Sequence, residues 1–404
     1  MTVGYTAPSD LRGLHVLRSL PTLRIAEVEG VGLRDLRQRP GIRSAQRGVA
    51  RVHLGEPVLT ITNGATAASE WAYAATRENL VPPSVFRAAS AITIAVVDTG
   101  ADLSAPDLAA KSPVGFNSVT NDSTVTDIDG HGTFVASLAG GSVTNGDGMA
   151  GFGGDVRLLI VEANRNANTF TDFDEAAGIV WAVDHGAQIL NLSIGGSQTS
   201  QIERDAIDYA VAHGVLVVAA AGNGGMAGNE PSYPAALLTD HGLAVGSSAQ
   251  NGLRASFSTS AAYVSLLAPG VHVLGALPAA ASQIAFPRTA LDGTTKGIYG
   301  YSSGTSYSAP QVAGAAALVW AANPSLTADQ VAQTLELSAT GGGVRRAAAG
   351  YGVLDVAAAV AKATGQPVPP LKVVAVTATV KKKTTASARE AARARRVSLG
   401  VSAR

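Results

Sequence analysis

A doubly wound α/β domain, with a mainly parallel sheet and helices on both faces, preceded by a small α+β unit, is the architecture this sequence predicts. Three observations carry that expectation. The run Ile92-Thr93-Ile94-Ala95-Val96-Val97 is almost wholly apolar and ends on Asp98 and Gly100, as a strand buried on both faces of a parallel sheet does. Similar runs alternate with segments of helical periodicity from residue 91 to about 364. With 46% hydrophobic residues in 404, the chain can bury one large core without staples.

In order along the chain, residues 1–54 read as a strand Thr2–Thr6, a helix Pro8–Leu20, a strand Leu23–Val31, a helix Leu33–Arg39 and a strand Ile42–Val52. Residues 55–90 form an arm that leads into the large domain, residues 91–364. There, strands are expected at Ile92–Val97, Val156–Val161, Gln188–Leu192, Val215–Ala220, Leu243–Ser247 and Val264–Ala268. Helices are expected at His131–Gly140, Phe173–His185, Gln201–His213, Ser306–Ala322, Ala328–Leu337 and Val353–Ala363. Residues 365–404 begin with the stiff linker Gln366-Pro367-Val368-Pro369-Pro370 and end in an Ala/Lys/Arg-rich tail, which reads as a solvated extension.

Net charge is zero but unevenly spread. Residues 1–54 carry nine arginines against four carboxylates, a surplus of +5. The tail from 371 carries +8, which leaves about −13 for residues 55–370. A basic tail suits an anionic surface. There is no cysteine, so disulfide frameworks and thiolate metal sites are excluded. The N-terminus has no charged segment followed by an apolar one, and no 18-residue apolar run occurs, so no transmembrane segment is expected.

The chemistry gathers in three stretches. In Gly304-Thr305-Ser306-Tyr307-Ser308-Ala309-Pro310 a serine opens a small-residue helix, near unpaired backbone N–H groups and the positive end of the helix dipole. Pro310 is expected in the first turn, where a missing N–H costs least. Asp98 ends a buried strand, where open α/β sheets carry their sites. In Asp129-Gly130-His131-Gly132-Thr133-Phe134-Val135-Ala136-Ser137 a histidine opens another helix. Taken together, and in the chain order Asp, His, Ser, these stretches resemble the motifs of the subtilisin-like serine peptidases. The resemblance extends to Val217–Gly224, Asn191–Gly196, Ala255-Ser256-Phe257-Ser258, Leu267-Ala268-Pro269-Gly270 and Gly350–Asp355. It covers roughly residues 91–363. Tyr307-Ser308 where the family usually has Met-Ala, Gln311 where it has His, and Phe134 in place of a second histidine depart from its pattern.

The resemblance implies a serine endopeptidase, secreted or cell-surface, with a cytoplasmic location as the alternative. Ser306 would attack the peptide carbonyl, His131 would serve as base and then acid, and Asp98 would orient the imidazole. Asn223 would complete the oxyanion hole beside the Ser306 N–H. Ser193, Ile194 and Gly195 would add the substrate as an extra strand. With Ala220, Ala221 and Gly222 they would line a pocket that favours a large apolar residue before the scissile bond. Asp107 and Asn145 match positions that hold a structural Ca²⁺ in many relatives. No cofactor is needed for catalysis.

Residues 1–54 resemble the family's inhibitory prosegment, an intramolecular partner later cut off. Counting from Pro40-Gly41 places the cut at Leu54-Gly55. Gln46-Arg47 stands where relatives carry an acidic pair. Polypeptide substrates, a monomer and no nucleic-acid partner are the remaining expectations. A peptide ligase or cyclase of the same family, and a catalytically silent binding protein on the same fold, are the alternatives.

Overall fold

The computed structural model describes residues 1–53, 71–145, 148–166, 169–239, 241–279 and 297–370. The N-terminal unit lays four antiparallel strands, β1 (Thr2–Tyr5), β2 (His15–Leu20), β3 (Ile25–Glu29) and β4 (Ile42–Gln46), in the order β2-β3-β1-β4. Leu36 of helix α1 (Leu33–Gln38) joins Val3, Ala26 and Val28 in a small core of its own. Two expectations need correcting. Only a short turn, Pro8–Leu11, is helical, and residues 15–20 form β2. Their side chains alternate between exposed and half-buried, a period of two that a helix cannot satisfy. The expected strand Ile42–Val52 is also broken, because Asp172 takes the Val49 N–H at 3.1 Å before β5 (Ala50–His53) begins.

From residue 71 the chain runs through α2 (Trp71–Ala75), α3 (Pro83–Ala88), β6 (Thr93–Asp98), α4 (Pro106–Ala109), β7 (Val114–Asn117), α5 (His131–Gly140), β8 (Arg157–Glu162), β9 (Asn164–Asn166), β10 (Thr169–Thr171) and α6 (Asp172–Asp184). It continues through β11 (Ile189–Leu192), β12 (Ile194–Gly195), α7 (Gln201–Ala212), β13 (Leu216–Ala220), β14 (Leu243–Ser248), β15 (Leu266–Pro269), β16 (Val273–Leu277), β17 (Ile298–Ser302), α8 (Thr305–Ala322), α9 (Ala328–Ser338) and α10 (Val356–Thr364).

Seven strands form a parallel sheet in the order β15-β14-β13-β11-β6-β8-β7. Alternate residues of β6 enter different cores: Ile94 and Val96 pack on the side of α5 and α8, Ala95 and Val97 on the side of α6 and α7. This two-sided burial is what the apolar run demanded. The edge strand β7 was not foreseen; its four residues, Val114–Asn117, are too few and too exposed at one end to stand out.

Helix α8 runs through the core and starts at Thr305, so Pro310 is its sixth residue and lies beyond the first turn. The N–H that proline lacks would have bonded to the Ser306 carbonyl. Ser193 Oγ donates to that carbonyl instead, at 2.8 Å, which satisfies the orphaned acceptor.

Candidate active site

Asp98 ends β6, Ser193 follows β11, and Ala221-Gly222-Asn223 follows β13, so three carboxyl ends of the parallel sheet converge where α5 and α8 begin. Asp98 and His131 are fully buried, and Asp98 Oδ1 lies 2.7 Å from His131 Nδ1. The same oxygen accepts the Thr99 N–H at 2.7 Å. The loop after Asp98 and the turn into α5 touch backbone to backbone: a Cβ on Gly132 would run into the Gly100 carbonyl, and one on Gly100, at φ 99°, into that of Thr126.

A buried carboxylate absent from the sequence reading ties these loops together. Asp127 Oδ1 accepts the Thr99 hydroxyl at 3.0 Å and the Gly130 N–H at 2.8 Å. Its Oδ2 accepts the Thr133 N–H at 2.8 Å. Thr99 Oγ1 in turn accepts the Gly132 N–H at 2.7 Å. Burial pushes the Asp127 carboxyl up, against these donors. Asp127 thus fixes where Asp98 and His131 stand relative to each other.

Ser306 is the second residue of α8, so its N–H has no partner within the helix. Its hydroxyl donates to the Ser193 carbonyl at 3.1 Å. The next residue, Tyr307, holds its ring 5.6 Å from the His131 ring and 4.5 Å from that of Phe134. Two departures from the family pattern, Phe134 and Tyr307, therefore pack on each other, and Tyr307 also packs on the imidazole. The third, Gln311, donates from Nε2 to the carbonyls of Pro269 and Tyr307, both at 2.7 Å. Asn223 Oδ1 accepts the Thr305 N–H and hydroxyl, both at 3.0 Å, which turns its Nδ2 toward Gly304. That orientation presents an N–H donor beside the N-terminus of the helix that carries Ser306.

The edge strand β12 is occupied. β5 lies antiparallel between β12 and β10, with Ile194 opposite His53, Gly195 opposite Val52 and Phe170 opposite Arg51. Leu54 and Gly55 lie outside the described residues. On the other wall Ala220 ends β13, and the Tyr263 hydroxyl holds the Ala221 carbonyl at 2.9 Å.

Around β5 the N-terminal unit meets the first turns of α6 and α7. Several donors come from residues 1–54 and meet carboxylates of the large domain. Gln46 Nε2 donates to Asp172 at 2.9 Å, and Arg18 pairs with Asp174 at 2.8 Å while its guanidinium lies over the Phe173 ring. The Arg51 side chain is fully buried against Glu203 at 2.8 Å and Glu175 at 3.2 Å. Sequence reading missed Glu175 and Glu203, although each carries a signal: it continues the buried stripe of its helix, Ile179 and Ala182 in one case, Ala206 and Ala210 in the other.

Asp107 and Asn145 are brought together, Asn145 Nδ2 donating to Asp107 Oδ1 at 2.9 Å. The other oxygen accepts the Tyr299 hydroxyl at 2.8 Å. Both carboxylate oxygens thus face donors.

A family model, the subtilase family of peptidases, matches residues 89–353, and the chain belongs to that family. Subtilisin DY of Bacillus licheniformis is 35% identical over 62% of this chain and 84% of its own length. Thermitase of Thermoactinomyces vulgaris is 36% identical over 57% and 75%. A thermophilic serine proteinase of Bacillus sp. (strain AK1) is 36% identical over 58% of this chain, which spans only 53% of that protein. Among solved structures, fervidolysin from Fervidobacterium pennivorans, described as a keratinolytic enzyme related to subtilisin, superposes with TM-score 0.75 at 25% identity. It covers 91% of this chain, more than residues 89–404 can supply, so the match takes in part of the N-terminal unit. This chain spans 61% of fervidolysin's length.

Proposed function

We propose that this chain is a serine endopeptidase made as a zymogen, and that residues 1–54 are the inhibitor it removes from itself. The observation that carries this reading is the buried Asp98–His131 contact of 2.7 Å at the sheet's carboxyl edge, beside a serine at a helix N-terminus. With its Nδ1 proton held by Asp98, His131 has Nε2 to accept the Ser306 proton and later pass it to the leaving amine. The tetrahedral oxyanion is stabilised by the Ser306 N–H and Asn223 Nδ2, donors fixed before reaction begins. Water then releases the acyl group by the same route.

Polypeptides suit a site that binds by strand addition, and β5 lies where a substrate strand belongs. Its register leads to Leu54 as the residue before the scissile bond, a side chain suited to the pocket between Ser193–Gly195 and Ala220–Gly222. A general endopeptidase must stay inert until it leaves the cell that makes it, and a strand in the groove supplies that restraint. No step requires a cofactor; a calcium ion at Asp107 would require Tyr299 and Asn145 to give way.

An active-site fluorophosphonate should label Ser306 in the processed protein, and N-terminal sequencing should begin at Gly55. Ser306→Ala should stay at full length by mass spectrometry. Loss of the first 54 residues from that variant in a protease-free preparation would overturn self-processing.

A further inference from the structure

The Arg51 side chain is the largest fully buried one among the described residues, and it belongs to the segment read above as a removable occupant. Its Nε donates to Glu203 Oε1 at 3.0 Å and lies 3.2 Å from Glu175 Oε2, and its Nη2 lies 2.8 Å from the same Glu203 oxygen. Nη1 reaches only the Ala50 carbonyl, at 3.2 Å. Both carboxylates are fully buried and come from different helices, Glu175 from α6 and Glu203 from α7. Glu203 is also held without Arg51, since its other oxygen accepts the Thr199 hydroxyl at 2.7 Å and its N–H donates to Ser200 Oγ at 3.2 Å. The approach is kept open by Gly196: a Cβ there would stand 3.2 Å from the Ala50 carbonyl and 3.4 Å from Arg51 Nη1.

We propose that Glu175 and Glu203 form a specificity subsite of the mature enzyme, which selects arginine as the fourth residue before the scissile bond. The inference rests on the zymogen reading, in which β5 vacates the groove and a substrate strand takes its register. Arg51 stands three residues before Leu54, which fixes the position in a substrate. When β5 leaves, two acidic side chains from two helices remain in one enclosed space, both ionised above about pH 8, the range in which the subsite selects a cation. An apolar side chain there would leave them desolvated and unpaired, whereas a cation relieves both. Arginine suits better than lysine, because its planar fork can meet two carboxylates at once and is the more weakly hydrated cation.

The test, made at about pH 9 so that both glutamates are ionised, uses active enzyme obtained by self-processing of the full chain and four tetrapeptide p-nitroanilides, Xaa-Val-His-Leu, with Arg, Lys, Leu or Ala as Xaa. The arginine substrate should exceed the leucine one in kcat/KM by roughly 30-fold or more, with lysine between. Equal rates, or leucine preferred, would overturn the subsite and leave the peptidase reading standing. Labelling of Ser306 by fluorophosphonate with none of the four substrates cleaved would overturn the register, and the subsite with it. Absence of both labelling and cleavage would bring down the peptidase reading itself. In the double variant Glu175→Leu, Glu203→Leu the ratio of arginine to leucine substrate should fall below one. That ratio is taken within one preparation and does not depend on how much of it folds. An arginine preference that persisted there would remove these two glutamates from the role.

Discussion

Two regions of this molecule bury acidic side chains against a base, and they do so on different terms. Asp98 meets His131 through loops of the same domain, cross-tied by Asp127 and Thr99, and nothing in the architecture lets either partner depart. Glu175 and Glu203 meet Arg51, whose strand is held by ladder pairing to β10 and β12 and by side chains of a unit with its own small core. Breaking a buried ion pair by removing one partner is costly, typically 3–5 kcal/mol. In the first region that cost can only be met inside the fold. In the second, the proposed undocking of the strand would let water or another cation in. A permanent pair orients groups, and an exchangeable one chooses an occupant.

The sharpest break in the first region is Asp98→Asn, which should lower kcat by about 10⁴-fold through loss of the correct imidazole tautomer. Its thermal midpoint should change little; a large drop would make Asp98 a fold element first. Next in size, Asn223→Ala should lower kcat by roughly 10²- to 10³-fold with KM nearly constant, the magnitude subtilisin shows for its own oxyanion asparagine. A rise in KM at constant kcat would recast Asn223 as a substrate-binding residue.

The second region should respond by release of its strand. In the Ser306→Ala background, Arg51→Leu should abolish hydrogen-exchange protection of residues 50–53 while the seven-stranded sheet keeps its own. Global loss of protection would show that Arg51 is part of the fold's permanent frame. The smallest effect concerns protons. Burial, with Glu203 beside it, pushes Glu175 from 4.5 up to about 8. The folded chain therefore keeps a proton through that window that the unfolded chain has lost, and stability falls as pH rises through it. Glu175→Gln should flatten the difference between urea midpoints measured at about pH 5 and about pH 8.5 in the Ser306→Ala chain. An unchanged slope would assign the pH dependence to other groups.

The two regions were not equally legible in the sequence. Asp98, His131, Ser306 and Asn223 each lie at the end of a buried strand or the start of a helix, so local pattern places each of them. Arg51, Glu175 and Glu203 sit in three segments far apart in the chain, and only the fold brings them together. Gln46-Arg47 pointed to missing carboxylates without showing that Asp172 and Asp174 supply them from the other side. The parallel sheet and its helices were readable because burial on both faces leaves continuous apolar runs. β2 was not, since an exposed alternating strand next to a helical turn carries little hydrophobic signal. Pro310 shows a further limit, because a proline's tolerance was decided by a hydroxyl 117 positions upstream.

Were β5 to leave its groove, as proposed above, the emptied groove would have a further consequence. A strand with a neighbour on each side leaves behind two bare borders facing each other, and bare borders invite other chains to add on. Here they are short: β12 has two residues and β10 three. A run of that length can grip one extended peptide but gives a second molecule of the enzyme too few backbone partners to stack on. In the processed enzyme proposed above, the same brevity would let a cleaved peptide go and would guard against coalescing into fibrils.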